Sequence, residues 1–279
     1  MKKAMLSLGL MLASFVANAQ VTLYGTIGAG STPSTLVRLD PATGSVTQTI
    51  GPVGYVVNGL TFDTSTQTLY ASTSAGDSVC PRGLITVNPT TGAGTVVGCG
   101  PDSGESPALL TSNSAGELYS WLEAVTDDLI SWNKATGVYS APIGESGLNT
   151  GGHTLAFDNG NVLYVLMSGN LYTINTVTGA SSLVHSDVPS GHHGDFHPTT
   201  NLLYVISSTS DPRTIRVIDV ATGSQTSEFS APDGLHTIAF GPATAPPPPT
   251  VTAVPTLSQW AMLLLGLFIA GAATLRRRW

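Results

Sequence analysis

Four of the six histidines in this 279-residue chain recur in related phrases. His153-Thr154-Leu155-Ala156-Phe157 matches His236-Thr237-Ile238-Ala239-Phe240, and His192-His193-Gly194-Asp195-Phe196 follows the same pattern. Imidazole and carboxylate gathered in a concave site can bind a divalent metal or shuttle a proton. A plainer role fits the same residues: a histidine that begins a strand beside a glycine-rich loop serves as polar lining, bonding backbone and water. The plainer role is favoured. His153, His192, His193, His236 and Asp195, with Asp233 near them, therefore stand as candidate ligand or metal residues, with no catalytic residue assigned and no cofactor expected.

Other chemistry is sparse. The sequence holds no G-x-S-x-G nucleophile elbow, no H-E-x-x-H, no phosphate-binding glycine loop and no twelve-residue calcium loop. Asp127-Asp128 and Asp158-Asn159-Gly160-Asn161 have the oxygens to ligate calcium, but their places between strands favour turn stabilisation. Charged residues make up 10% of the chain. Between Val21 and Pro242 lie five basic and 17 acidic residues, a formal balance of −12. Phosphate binding needs clustered cations, so a nucleic-acid partner is excluded.

The elements that must position these residues repeat. The pentapeptide [Asp/Asn]-x-x-Thr-Gly occurs at Asp40–Gly44, Asn88–Gly92, Asn133–Gly137, Asn175–Gly179 and Asp219–Gly223, its glycines 48, 45, 42 and 44 residues apart. The Asx side chain can bond the turn's own N–H groups, and glycine accepts a positive φ. A β-type run precedes each turn. Upstream lies a Leu-Tyr pair, at Leu23-Tyr24, Leu69-Tyr70, Leu118-Tyr119, Leu163-Tyr164 and Leu203-Tyr204, marking a second strand. The phrases ending in Phe62, Phe157, Phe196 and Phe240 mark a third, weaker in repeat three as Leu109–Ser112. A run after each Thr-Gly makes four strands per repeat. The tyrosines read as blade packing, whereas Trp121 and Trp132, on strands of repeat three, suit either packing or ligand stacking.

Four short strands every ~45 residues is the period of a β-propeller blade. The fold expected is all-β: a five-bladed β-propeller over 20–242, closed by a C-terminal strand. The first repeat begins at its second strand, Thr22–Ile27, and His236–Phe240 supplies the missing innermost one. In that order Cys80 and Cys99 fall in loops on one face, and export would favour a disulfide between them. The repeats resemble the YVTN-type surface-layer propeller repeats, as in Asn201–Ile206 followed by Ile215–Gly223. That resemblance implies architecture and no activity.

Both ends read as addresses. Lys2 and Lys3, the apolar run Ala4–Val16 and Ala17-Asn18-Ala19 form a signal peptide over 1–19. Residues 243–253 form a proline-rich spacer around Pro246–Pro249. Trp260–Leu275 is uncharged, 16 residues spanning ~24 Å as a transmembrane helix, and Arg276, Arg277 and Arg278 stop transfer on the cytoplasmic side. Within 254–279, the motif Val254-Pro255-Thr256-Leu257-Ser258-Gln259-Trp260 with this apolar span and basic end resembles the IPTL-type C-terminal sorting signal of Gram-negative bacteria. Val254 stands where that family usually has Ile, and Ala261 where it usually has Gly. The resemblance implies an exosortase-like enzyme as partner, cleavage near Pro255–Leu257 and transfer to the cell surface or matrix; a permanent membrane anchor is the alternative. The favoured function is a non-enzymatic, surface-sorted binding or matrix/envelope interaction module for polysaccharide, a matrix component or an envelope protein; a purely structural matrix component with no discrete ligand is a third reading. The alternative is a lactonase- or hydrolase-like propeller enzyme with a metal or acid/base site at the channel mouth.

Overall fold

A computed structural model of the chain describes residues 20–28, 32–101, 104–123, 127–148 and 153–244. All five Asx-x-x-Thr-Gly pentapeptides close the same turn. In each, the glycine N–H donates to the Asx carbonyl at 2.8 Å. The Asx side-chain oxygen accepts the N–H two residues on at 2.8–2.9 Å, and the threonine hydroxyl accepts the N–H that follows the glycine. The glycines sit at φ between +70° and +83°, where a Cβ would be strained.

These turns join strands into five antiparallel sheets. Blade one holds β1 (Gln20–Ile27), β2 (Thr35–Leu39) and β3 (Val46–Pro52). Blade two is β4 (Val57–Asp63), β5 (Thr68–Thr73), β6 (Leu84–Val87) and β7 (Gly94–Gly98). Blade three is β8 (Ser106–Ser112), β9 (Leu118–Glu123) and β10 (Asp128–Trp132). Blade four comprises β11 (His153–Phe157), β12 (Leu163–Met167), β13 (Asn170–Ile174) and β14 (Ser181–His185). Blade five comprises β15 (His192–Phe196), β16 (Leu203–Ile206), β17 (Thr214–Asp219) and β18 (Ser224–Ser230). The last strand, β19 (Leu235–Thr244), joins blade one as its innermost strand, giving the order β19-β1-β2-β3. Leu23 pairs with Phe240 and Thr26 with Thr237, so the end of the chain completes its first blade.

The Leu-Tyr pair shows why the sheets form a ring. Successive strand residues point to opposite faces, so each leucine packs toward the preceding blade and each tyrosine toward the next. Leu23 lies with Tyr204, Ile215 and Val217 of blade five, while Tyr24 lies with Leu60, Phe62 and Leu69 of blade two. The pattern repeats between blades two and three, three and four, and four and five. Tyrosine meets the phenylalanine of the next innermost strand at Tyr119–Phe157, Tyr164–Phe196 and Tyr204–Phe240, with ring centroids 5.0–5.6 Å apart. Every apolar face is thereby covered by a neighbour, blade five by blade one included. The innermost strands neighbour one another in the cyclic order β19, β4, β8, β11, β15 and back to β19.

One expectation fails. Among the described residues blade three has three strands, with only an isolated bridge, Trp132 to Tyr139, where a fourth would run. Pro142 has no N–H to give to a ladder, and the hydroxyl of Ser140 takes the N–H of Ser131 in place of a backbone carbonyl. The innermost strand of that repeat is longer than its weak pattern suggested, running over all seven residues of β8. No helix occurs among the described residues. The signal peptide, the sorting motif Val254–Trp260, the transmembrane helix and Arg276–Arg278 lie outside the described residues.

Candidate functional site

The first residues of the innermost strands gather at one mouth of the axial channel, and four of these five strands are irregular there. Register shifts fall between Val57 and Gly59, Ala108 and Thr111, His192 and Gly194, and Leu235 and Thr237. A bulge re-aims the extra side chain. The residues so displaced include Asn58, Leu109, His193 and His236, with Leu109 at φ +62° and His193 at +41°. The bulge at Leu109 is held by hydroxyls, since its carbonyl accepts from Ser72 at 3.1 Å and Ser120 at 2.8 Å.

His193 and His236 come together, their ring centroids 4.6 Å apart, and His236 Nε2 lies 3.4 Å from Asn58 Oδ1. His153 begins a regular strand opposite Met167. It is 4% exposed, packs edge-on to Trp121 at 6.0 Å, and has Glu123 Oε1 at 3.9 Å from its Nε2. Among the described residues neither of its ring nitrogens has a hydrogen-bond partner. Arg213, 5% exposed, donates to the carbonyls of Leu235 and Thr209 and pairs with Asp211 at 3.0 Å.

Burial dominates the electrostatics of this mouth. It lowers His153 to about 4, against the pull of Asp127, and lowers His236 to about 4 with help from Arg213 and His192. His192 is lowered by burial and then Arg213, and His193 well below its ordinary value by burial and then the neighbouring imidazoles. At neutral pH these imidazoles are therefore neutral, each with one nitrogen that donates and one that accepts. Among the described residues no three His, Cys, Asp or Glu side chains are placed to hold a metal ion.

Asp195 does not join the histidines. It lines a cavity of about 170 Å³ at the opposite mouth, with Phe62, Phe157, Phe196 and Phe240. The expectation that it stood with the imidazoles overlooked how far a strand carries its residues along the axis, ~3.3 Å each. Between the mouths, residues from all five innermost strands, among them Leu60, Leu110, Leu155 and Ile238, leave a void of only about 10 Å³, room for about one water. The phenylalanines were visible in the sequence as a recurring strand end, which is the signal by which this cavity could have been found.

The turns around the cavity are tied blade to blade. Asn161 Oδ1 accepts the N–H of Ser114, and Asn201 Oδ1 that of Asn159, both at 2.8 Å. Asp158 Oδ1 accepts the N–H of Val162 within its own turn, the structural role favoured for it. Asp128 likewise accepts from Ser146 N at 3.0 Å. Lys134 reaches from blade three to Asp63 of blade two at 2.8 Å, a pair that sequence reasoning missed. Cys80 and Cys99 form a disulfide in loops of blade two. The β5–β6 loop is held beside the histidine mouth, where Asp77 Oδ2 accepts the N–H of Val56 at 2.6 Å.

Comparison with known proteins bears on fold and address. A chain in the crystal structure of a Nidogen/Laminin complex is similar, with TM-score 0.52 and 12% identity over 80% of this chain and 99% of that one. TolB from Acinetobacter baumannii matches with TM-score 0.52 and 10% identity, over 80% of this chain and 67% of its own. At such identities the likeness concerns the fold alone. No curated protein matches the sequence. The IPTL-CTERM motif family matches residues 252–278. The chain thus joins a five-bladed β-propeller to an IPTL-CTERM motif.

Proposed function

We propose that this chain is an exported, surface-sorted binding module that presents its histidine mouth to an extracellular ligand, a polysaccharide or an envelope protein. The observation that carries the reading is the IPTL-CTERM motif over 252–278, downstream of the ring. The arrangement of the ring supports it. β19 ends at Thr244 opposite Gln20, so both ends of the ring lie at its phenylalanine side, away from the first residues of the innermost strands. Asn58, His192 and His236 are partly exposed there and offer hydrogen bonds, which suits a polar ligand. An exosortase-like enzyme would process the tail near Pro255–Leu257.

A second reading, a hydrolase using a metal or acid/base site, is favoured by one observation: the buried His153 imidazole with Glu123 3.9 Å away. One experiment separates the two. The exported chain and a His153→Ala/His236→Ala variant are assayed for metal content and for capture of polysaccharide on a bacterial glycan array. Metal-free protein whose capture is lost in the variant supports the binding module. Stoichiometric metal that disappears in the variant supports the enzyme and contradicts the proposal.

A further inference from the structure

The cavity at the phenylalanine mouth has walls and floor of opposite character. Phe157, Phe196 and Phe240 are fixed from behind by Tyr119, Tyr164 and Tyr204, so the walls are preformed. On the floor, Asp195 accepts one backbone N–H at each oxygen, from Phe196 at 2.8 Å and from Phe240 at 2.7 Å. Each oxygen keeps a further lone pair. Among the described residues no basic side chain lines this cavity, and its other charged group is the carboxylate of Asp158.

From this combination we infer that the phenylalanine mouth binds a primary ammonium carried on a short alkyl stem. The ammonium supplies the positive charge that Asp195 lacks, in a charge-assisted hydrogen bond, and the aromatic faces accept both the cation and the methylene groups. An anion would meet two carboxylates. A neutral alcohol would leave the half-buried carboxylate without a counter-charge. Burial, opposed only by the two backbone N–H groups, raises Asp195 to about 7, as befits a carboxylate without a counter-ion. The volume of about 170 Å³ is below the ~300–1,000 Å³ of a site for a drug-sized ligand, which limits the guest to a small alkyl amine. A lysine side chain and a free diamine share this chemistry. The site lies at the mouth opposite the one proposed above for the extracellular ligand, and neither assignment depends on the other.

The test uses the whole exported chain at pH 8 in titration calorimetry with n-butylamine, 1-butanol and butyrate, three probes of nearly equal size and different charge. Butylammonium is expected to bind at least about tenfold more tightly than butanol, and butyrate to give no heat. Thr64→Trp, which places a large ring on the exposed rim, and Asp195→Asn are each expected to weaken butylammonium by at least about tenfold. Thr64 is outside the core, so the test survives if Asp195→Asn fails to fold. Equal affinity for amine and alcohol, binding of butyrate, no binding of butylamine, or unchanged affinity in Thr64→Trp would each overturn the assignment. Once binding of butylammonium is established, tighter binding of Nα-acetyl-lysine methylamide than of putrescine to the free site identifies a protein side chain as the source, and the reverse order a free diamine.

Discussion

Buried titratable groups in this ring are handled in two opposite ways. Asp63, with no exposed side-chain surface, is pushed up by burial, but Lys134 and the donors of Ser65 and Thr66 outweigh that push and hold it at about 2. It stays charged because it is fully bonded. That bonding falls between blades two and three, where Ser112 replaces the phenylalanine of the other repeats. His153 and His236 have no comparable set of partners, with Glu123 no nearer than 3.9 Å and only the Asn58 amide at 3.4 Å, and are neutral instead. A histidine lowered from 6.5 to about 4, as His153 and His236 are, takes up a proton more readily when unfolded. Its contribution to stability is complete above 6.5 and is lost as pH falls toward 4, at most about 1.4 kcal/mol per pH unit for each group. Asp195, raised from 3.8 to about 7, acts with the opposite sign: its contribution is present below 3.8 and is lost as pH rises through 7. Urea unfolding between pH 4.5 and 8 should therefore show a shallower acid loss of stability in His153→Leu and a steeper one in Asp195→Asn. Identical slopes in His153→Leu and the parent would refute the buried neutral imidazole.

The Thr-Gly turn does two jobs at the level of the element. Its glycine takes a positive φ, and it also lets the turn lie against the outer edge of the preceding blade. A Cβ on Gly92 would meet the carbonyl oxygen of Gly51 in blade one at 2.5 Å, and one on Gly44 would meet Phe229 of blade five at 2.8 Å. Replacing Gly92 by Ala should cost about 2–4 kcal/mol, the left-handed strain and the backbone clash together. A loss below about 0.5 kcal/mol in urea unfolding, the range of an ordinary surface change, would mean that the turn does not touch blade one. Turns and Leu-Tyr pairs were legible in the sequence because each depends on contacts within a repeat or at a fixed spacing. The missing strand of blade three was not legible, since it depends on Ser140 substituting for a carbonyl. Nor were the bulges at Asn58, His193 and His236, because the extra residue is defined only by its pairing with the next strand. The candidate histidines were therefore placed at the right end of the right strands, while Asp195 was assigned to the wrong mouth.

For the whole molecule the decisive fact is the circular order of its interfaces. Five apolar clusters join five pairs of blades, and the one between blades five and one is built from residues near both ends of the described ring, such as Leu23 and Phe240. Without β19 the first blade would lose its innermost strand and blade five part of its cover. The clearest contact across this closure is a bond between two buried hydroxyls, Thr26 Oγ1 and Thr237 Oγ1, 2.7 Å apart across 211 residues. The most direct test is therefore the double variant Thr26→Cys/Thr237→Cys, with the exported chain oxidised mildly and the cross-link read by peptide mass and thermal unfolding. The closed ring predicts near-complete bonding between the two introduced thiols within one chain and up to about 5 kcal/mol of added stability. Folded protein in which those thiols stay free, or bond only between chains, would contradict it.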